Sequence, residues 1–314
     1  MYCTFDCVFI GLLIFDNPVH VNSPSFWPIV KRRLVAIVAM LIAATSQSVA
    51  TIAFQSISNN KVITPSLLGF EALYTVINTG IMYFYGLEAF LAFTGIKSFV
   101  IQLVAMVIFS LILYSWLLLS KKSDLQLMLL IGVVMGTGLR SASSFMRRVL
   151  APSEFDILQA RLFASVNNAD SEYFPIAIPI VMVSVFLIIR SSKKLNILAL
   201  GKDISTNLGV NYKSNAVFIL VLVSILMAVS TALIGPLSFF GFLVASFSYE
   251  MCKSYDYKYV FPMALSVSYL LISMSYFVMN HIFNAQGVVS ILIELVGGLV
   301  FLLVIFKKGN YDSN

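Results

Sequence analysis

The stretch LNILALGKDISTNLGVNYK, residues 195–213, decides how this chain folds. It is a long polar interruption in a sequence that is otherwise mostly apolar. Lys193 and Lys194 stand just before it, Lys202 and Lys213 within it. Inside lies a compact helix signal. Asp203 is of the type that caps a helix N-terminus with its carboxylate, and Gly209 of the type that takes the left-handed conformation at a helix end. Between them Ile204 and Leu208 are four apart, on one helical face. The stretch reads as a short surface helix with a small apolar stripe, presented on the basic side of a membrane. The plainer alternative is an ordinary inter-helix loop that happens to fold.

The chain has 314 residues, of which 60% are hydrophobic and 11% charged, with a mean hydropathy of +0.95. Soluble domains carry roughly 25% charged residues. This composition describes an all-α polytopic membrane protein. No shift in composition marks a separate soluble domain, so residues 1–314 read as one transmembrane domain with a polar loop at 190–213. The net charge of +6 is no nucleic-acid signal, because the basic residues fall in short loops, where they set orientation. Cys3, Cys7 and Cys252 have no metal-ligand spacing and read as small apolar packers.

Spans are read against the roughly 20 residues that cross a bilayer as a helix. Downstream of the loop, 215–234 is a span broken by Gly235 and Pro236. Residues 237–249 form a short helix, and 259–279 and 287–306 complete the series. Upstream, 174–189 is a span, whereas 140–173 is the longest polar region, helical in part but not spanning. Residues 125–139 carry Gly132 and Gly136 at the four-residue spacing that allows close helix contact. Further spans are 98–119, 66–85 and 34–57, with an apolar connection at 86–97. Residues 1–15 are short and lack the basic start and cleavage site of a signal peptide. They read as a first transmembrane helix, truncated by the choice of start codon.

About ten spans result, with both ends on the side of the 195–213 loop. Twelve of the twenty Lys and Arg then lie on that side, and Lys31, Arg32, Arg33, Lys97, Arg140, Arg147, Arg148 and Arg161 on the other. Positive charge favours this orientation, although the cluster at 31–33 runs against it.

The wording of several stretches resembles the FecCD-type permeases, the membrane subunits of ABC importers for ferric siderophores, haem and vitamin B12. Their cytoplasmic loop has the form LNxLxLGxxxAxxLGV, matched by Leu195, Asn196, Leu198, Leu200, Gly201, Leu208, Gly209 and Val210, with Ser205 or Thr206 for the alanine. A second phrase is matched by Gln55, Asn60, Pro65, Leu68 and Gly69, with Lys61 where the family has proline. Pro152, Glu154, Phe155, Gln159, Phe163, Ala164, Ser165 and Asn167 match a third. GPLSFFGFLVASF, from Gly235, resembles G-P-I-x-F-x-G-L-x-x-P, with Ala245 near the absent proline. Ser290, Ile291, Gly297, Gly298 and Phe301 match the closing phrase of the iron-siderophore branch, that of the ferric-anguibactin and catecholate permeases. Glu294 stands there for the usual asparagine.

The resemblance implies a vitamin-B12-permease-like fold, that of type II ABC importers, and a permease that moves a ferric siderophore through the bacterial inner membrane. A separate cytoplasmic ATPase would supply the energy by docking on Asp203, Ile204, Ser205, Asn207, Leu208 and Gly209. A periplasmic or lipid-anchored binding protein would be met by Lys31, Arg32, Arg33 and, in place of a family arginine, His281. A second permease subunit, in a heterodimer, would complete the path. The plainer readings are interfacial snorkelling for Lys31, Arg32 and Arg33 and a neutral interface histidine for His281. No cofactor and no metal ligand are implied, since the iron stays in its chelate.

Two carboxylates fall within spans and are costly there, which marks them as functional candidates. Glu71 stands near the cytoplasmic end of its span, within reach of water. Glu294 is deeper, in a pore-facing or helix-pairing position. Both are assigned to the translocation path. A proton-coupled secondary transporter would use such residues too, and a haem or vitamin B12 permease would share the fold. Enzyme signatures are absent: there is no G-x-x-x-x-G-K-[ST], no H-E-x-x-H and no G-x-S-x-G.

Overall fold

In a computed structural model, residues 26–119, 125–163, 166, 169–281 and 289–299 are described. They form α1 (Phe26–Ser58), α2 (Phe70–Ala92), α3 (Gly95–Leu119), α4 (Leu125–Val149), α5 (Pro152–Leu162), α6 (Phe174–Arg190), α7 (Ser192–Leu198), α8 (Lys202–Asn207), α9 (Tyr212–Ile234), α10 (Phe240–Met251), α11 (Tyr257–His281) and α12 (Val289–Leu299). Short 3-10 turns at Pro65–Leu68 and Ser171–Tyr173 lead into α2 and α6. Eight of the ten expected spans fall on these helices, 287–306 does so over its described residues 289–299, and the segment 1–15 lies outside the described residues. Five helices are long and apolar enough to cross a bilayer by themselves: α1, α6, α9, α11 and the described part of α3.

The centre is the pair α1 and α9. Small side chains make their contact possible: Ala39, Ala43, Ala50 and Ala53 on α1 and Ala216, Ala228 and Ser230 on α9 are buried. In a bilayer, close backbone approach and buried hydrogen bonds replace the hydrophobic drive that holds soluble helices together. Gln47 accordingly donates from Nε2 to Ser230 Oγ at 3.2 Å. Around this pair α10 and α11 pack on α1, α3 on α9, and α6 on both, while α2 and α4 form a second pair.

With 33 residues, α1 is about 50 Å long at 1.5 Å per residue, well beyond the roughly 30 Å hydrocarbon layer. Its two ends therefore stand on opposite faces. Lys31, Arg32 and Arg33 mark one face. At the other, Ser56 Oγ donates to Leu195 O at 3.0 Å, and Tyr212 OH donates to Ile57 O at 2.9 Å.

Two boundaries differ from the sequence reading. The helix expected to stop near Leu139 runs to Val149, so Arg140, Arg147 and Arg148 lie on a long helix, not in an outer loop. A polar run stays helical here because part of it faces a cavity, not lipid. Likewise α2 continues through the expected connection to Ala92, with a kink at Gly86 (φ 78°). The end of α2 is held by Arg161 of α5. Its guanidinium stacks 4.7 Å above the Phe90 ring and donates to the carbonyls of Phe90, at 3.0 Å, and Phe93.

Two close approaches set the interior. A Cβ on Gly69 would lie 3.0 Å from Gly136 Cα, and one on Gly241 2.2 Å from Thr51 Oγ1. The first seats the turn before α2 on α4, and the second seats α10 on α1.

Candidate functional site

The 195–213 loop is built as a rigid platform. Leu195 and Leu198 of α7 are fully buried. Asn196 joins α7 to the start of α11 by donating to Asp256 Oδ1 at 2.9 Å and accepting the Tyr257 N–H at 3.0 Å. Gly201, at φ 93° and ψ 171°, is the N-cap of α8. This corrects the expectation for Asp203, which sits within the first turn. Glycine adopts that backbone freely, and a carboxylate two positions further in still faces the positive helix end.

The C-terminus of α8 agrees with the sequence reading. Gly209 is left-handed (φ 79°), Val210 N–H reaches Ser205 O at 3.0 Å, and Gly209 N–H reaches Thr206 O at 3.0 Å. This is the Schellman pattern of satisfied terminal carbonyls. Ser205 is the buried residue of α8, and its hydroxyl donates to Ile197 O at 2.8 Å and Gly201 O at 2.6 Å. It therefore occupies the place of the family's alanine, whereas Thr206 is exposed.

What the platform presents is apolar. Leu200, Ile204 and Leu208 are 51%, 50% and 58% exposed, with Asp203 and Asn207 exposed beside them. A groove of about 850 Å³ adjoins them, between Asn60, Asn196, Leu200, Tyr249, Tyr255 and Asp256. Lys61, which replaces the family's proline, lies 4.9 Å from the Tyr249 ring centre and 5.6 Å from that of Tyr255.

The Asn196 amide, followed by the Lys258 backbone N–H, holds the Asp256 carboxyl below its ordinary range. A lowered folded value means that this stabilisation is complete above the unfolded value, about 3.9. It is lost as pH falls through that value to the lower folded one. The thermal midpoint of wild type is expected to exceed that of Asp256→Asn near neutral pH, with the gap closing on acidification. A gap that ignores pH would remove titration from this clip.

The other sequence-chosen residues separate into two places. Lys31, Arg32 and Arg33 stand at the start of α1, and His281 at the end of α11. The two helices are antiparallel neighbours, so these residues share the face opposite the 195–213 loop. The side chains of Lys31 and Arg32 are exposed.

Glu71 differs from expectation. It is 4% exposed and does not reach water at a membrane edge. Ser238, in the break between α9 and α10, donates to its Oε2 at 2.5 Å. The reason is the turn at 65–68, which begins α2 in the interior against Gly132 and Gly136. Glu71 lines a cavity of about 600 Å³ with Ser66, Arg140, Arg147, Gln159 and Ser238. Glu294 is exposed on α12, one turn before Gly297, where α12 meets Phe239. Sequence reasoning missed Ser238, Arg140, Arg147 and Gln159 as partners of this cavity. Ser238 and Gln159 fall inside the quoted family phrases, but nothing local in the sequence shows which way they turn.

The profile of the FecCD transport family matches residues 10–307. The chain belongs to the FecCD transport family. It is 58% identical over 298 residues to the petrobactin import system permease protein FatC of Bacillus anthracis, covering 95% of this chain and 84% of that one. To the petrobactin import permease YclO of Bacillus subtilis it is 32% identical over 277 residues, 88% of each chain. A solved structure of an inward-facing, metal-chelate type ABC transporter superposes with a TM-score of 0.82. It covers 98% of this chain and 97% of its own at 16% identity, a likeness of fold. This FecCD chain is thus a multi-pass membrane permease, a transporter and not an enzyme.

Proposed function

We propose that this chain is a single-domain permease subunit of a bacterial ABC importer that carries a ferric siderophore, ferric petrobactin in the first instance, through the cytoplasmic membrane. The observation that carries the coupling part is the exposed stripe Leu200, Ile204 and Leu208 on an otherwise buried and hydrogen-bonded base. An apolar stripe on a rigid platform suits a protein partner that pushes on it. That partner is the ATPase subunit, received by Asp203, Ile204, Ser205, Asn207, Leu208 and Gly209. The substrate follows from the import systems named for the relatives at 58% and 32% identity.

Lys31, Arg32, Arg33 and His281, at the opposite face, receive the substrate-binding protein. Opposite charge across such an interface speeds encounter and sets orientation. A second, non-identical permease chain completes the path, and Glu71 and Glu294 face it. The curated relatives include a further Bacillus anthracis petrobactin import permease, FatD, 22% identical to this chain.

Iron-starved cells lacking this chain test the reading. Supplied with ferric petrobactin, they are expected to regain uptake with the wild-type chain and an intact ATPase, and not with an ATPase whose phosphate-loop lysine is replaced. Uptake that survives the dead ATPase would instead mark a proton-coupled carrier.

A further inference from the structure

The cavity around Glu71 holds more polar chemistry than a passage requires. Arg140 and Arg147 are seven residues apart on α4, two turns and so on the same face, and both line it. Gln159 of α5 and Ser66 add polar groups, while Ile63, Leu162, Phe239 and Phe242 supply apolar wall. Four residues of this lining each carry a buried polar atom with no hydrogen-bond partner among the described residues: Ser66 Oγ, Glu71 Oε1, Arg147 Nε and Gln159 Oε1. Buried polar atoms are satisfied as a rule, and an exception needs a physical reason. Here four such atoms belong to residues around one space of about 600 Å³, a volume typical of small-molecule sites.

The residue types say what would satisfy them. Guanidinium groups suit oxygen anions, which they hold through paired N–H donors. Glu71 keeps one oxygen on Ser238, and its other oxygen and the Gln159 carbonyl have no donor among the described residues. Arg140 lines the same space as Glu71. Arg147 donates to a neutral partner, Ser144 Oγ at 3.3 Å.

We propose that this cavity is a recognition site inside the permease for an anionic ferric chelate, with Arg140 and Arg147 taking its anionic oxygens and Glu71 and Gln159 its amide or hydroxyl donors. The proposal rests on the import reading above and deepens it. Iron(III) wrapped in catecholate or carboxylate oxygens keeps a net negative charge, whereas three hydroxamates leave it neutral, so the arginines sort substrates by charge. The site holds its ligand weakly, because a conducting path must also release it.

The test uses the complete transporter with its binding protein in proteoliposomes and radioiron-labelled ferric petrobactin as probe. Arg147→Gln is expected to slow uptake about tenfold, the size of one lost charge-assisted contact, and Arg147→Lys to restore most of the rate. The thermal midpoint of each complex is measured alongside, so that loss of fold is read apart from loss of transport. Wild-type rates in Arg147→Gln, or equal losses in both variants, overturn the site alone. A wild-type complex that imports no ferric petrobactin overturns the import reading and the site with it.

Discussion

Leu208→Asp is expected to cut ATP-driven uptake by about a hundredfold or more while the protein reaches the membrane in normal amount. The two effects separate because of where Leu208 stands. It is 58% exposed, and α8 is held from beneath by Ser205, not by Leu208. An exposed substitution away from special features changes stability by only about 0.5 kcal/mol. At a docked apolar contact the same carboxylate is buried without a partner, which costs about 3 kcal/mol or more. Since about 1.4 kcal/mol is a factor of ten, the complex with the ATPase is weakened beyond use. Uptake of ferric petrobactin and co-purification of the ATPase read this directly. Normal uptake would mean that the stripe touches nothing, and the ATP-coupled mechanism would have to be rebuilt on another surface.

Gly69→Val is expected to cost about 3 kcal/mol of stability, from two independent sources. The backbone at Gly69 is left-handed (φ 95°), which disfavours any L side chain by about 1–2 kcal/mol. Its Cβ would also meet Gly136 Cα at 3.0 Å and Gly136 N at 3.4 Å. Those are backbone atoms of α4, so no side chain can swing aside, and overpacking adds about 1–3 kcal/mol. Gly86→Ala is the control. Its φ of 78° and ψ of −176° lie where glycine alone is at ease, but a Cβ there has nothing within 4 Å, so only the backbone cost of about 1–3 kcal/mol applies and no overpacking is added. Unfolding midpoints of the purified chain in detergent compare the two. Equal, small losses would mean that the turn does not sit on α4 as closely as described.

The spans were legible because an apolar run of membrane length suits a bilayer-crossing helix and little else. The end of α8 was legible because Gly209 carries its own backbone preference. Less local features were not. Asp203 looks like a cap, but Gly201 provides the cap by conformation alone. Arg140 and Arg147 look like an outer loop, because the sequence shows their polarity and not the cavity they line. Glu71 and Ser238 are far apart in the chain, and no periodicity shows that the turn at 65–68 carries Glu71 inward to the break after α9. Such pairings depend on helix rotation and depth, which one sequence of mostly apolar spans leaves open.

The polar seam of α1 has a consequence for how the protein is made. Gln47, Thr51 and Gln55 stand at four-residue intervals on this helix and are buried in the finished fold. The Ser230 hydroxyl that accepts from Gln47 lies 183 residues further on. At roughly 5–20 residues per second, the ribosome needs about 10–40 s to deliver it. During that interval α1 must rest in the bilayer, or beside an insertion factor, with its Gln47 amide unshielded, whereas the Gln55 amide finds the Lys61 carbonyl six residues on. The helix at the centre of the folded transporter thus needs shelter during synthesis until its partner arrives.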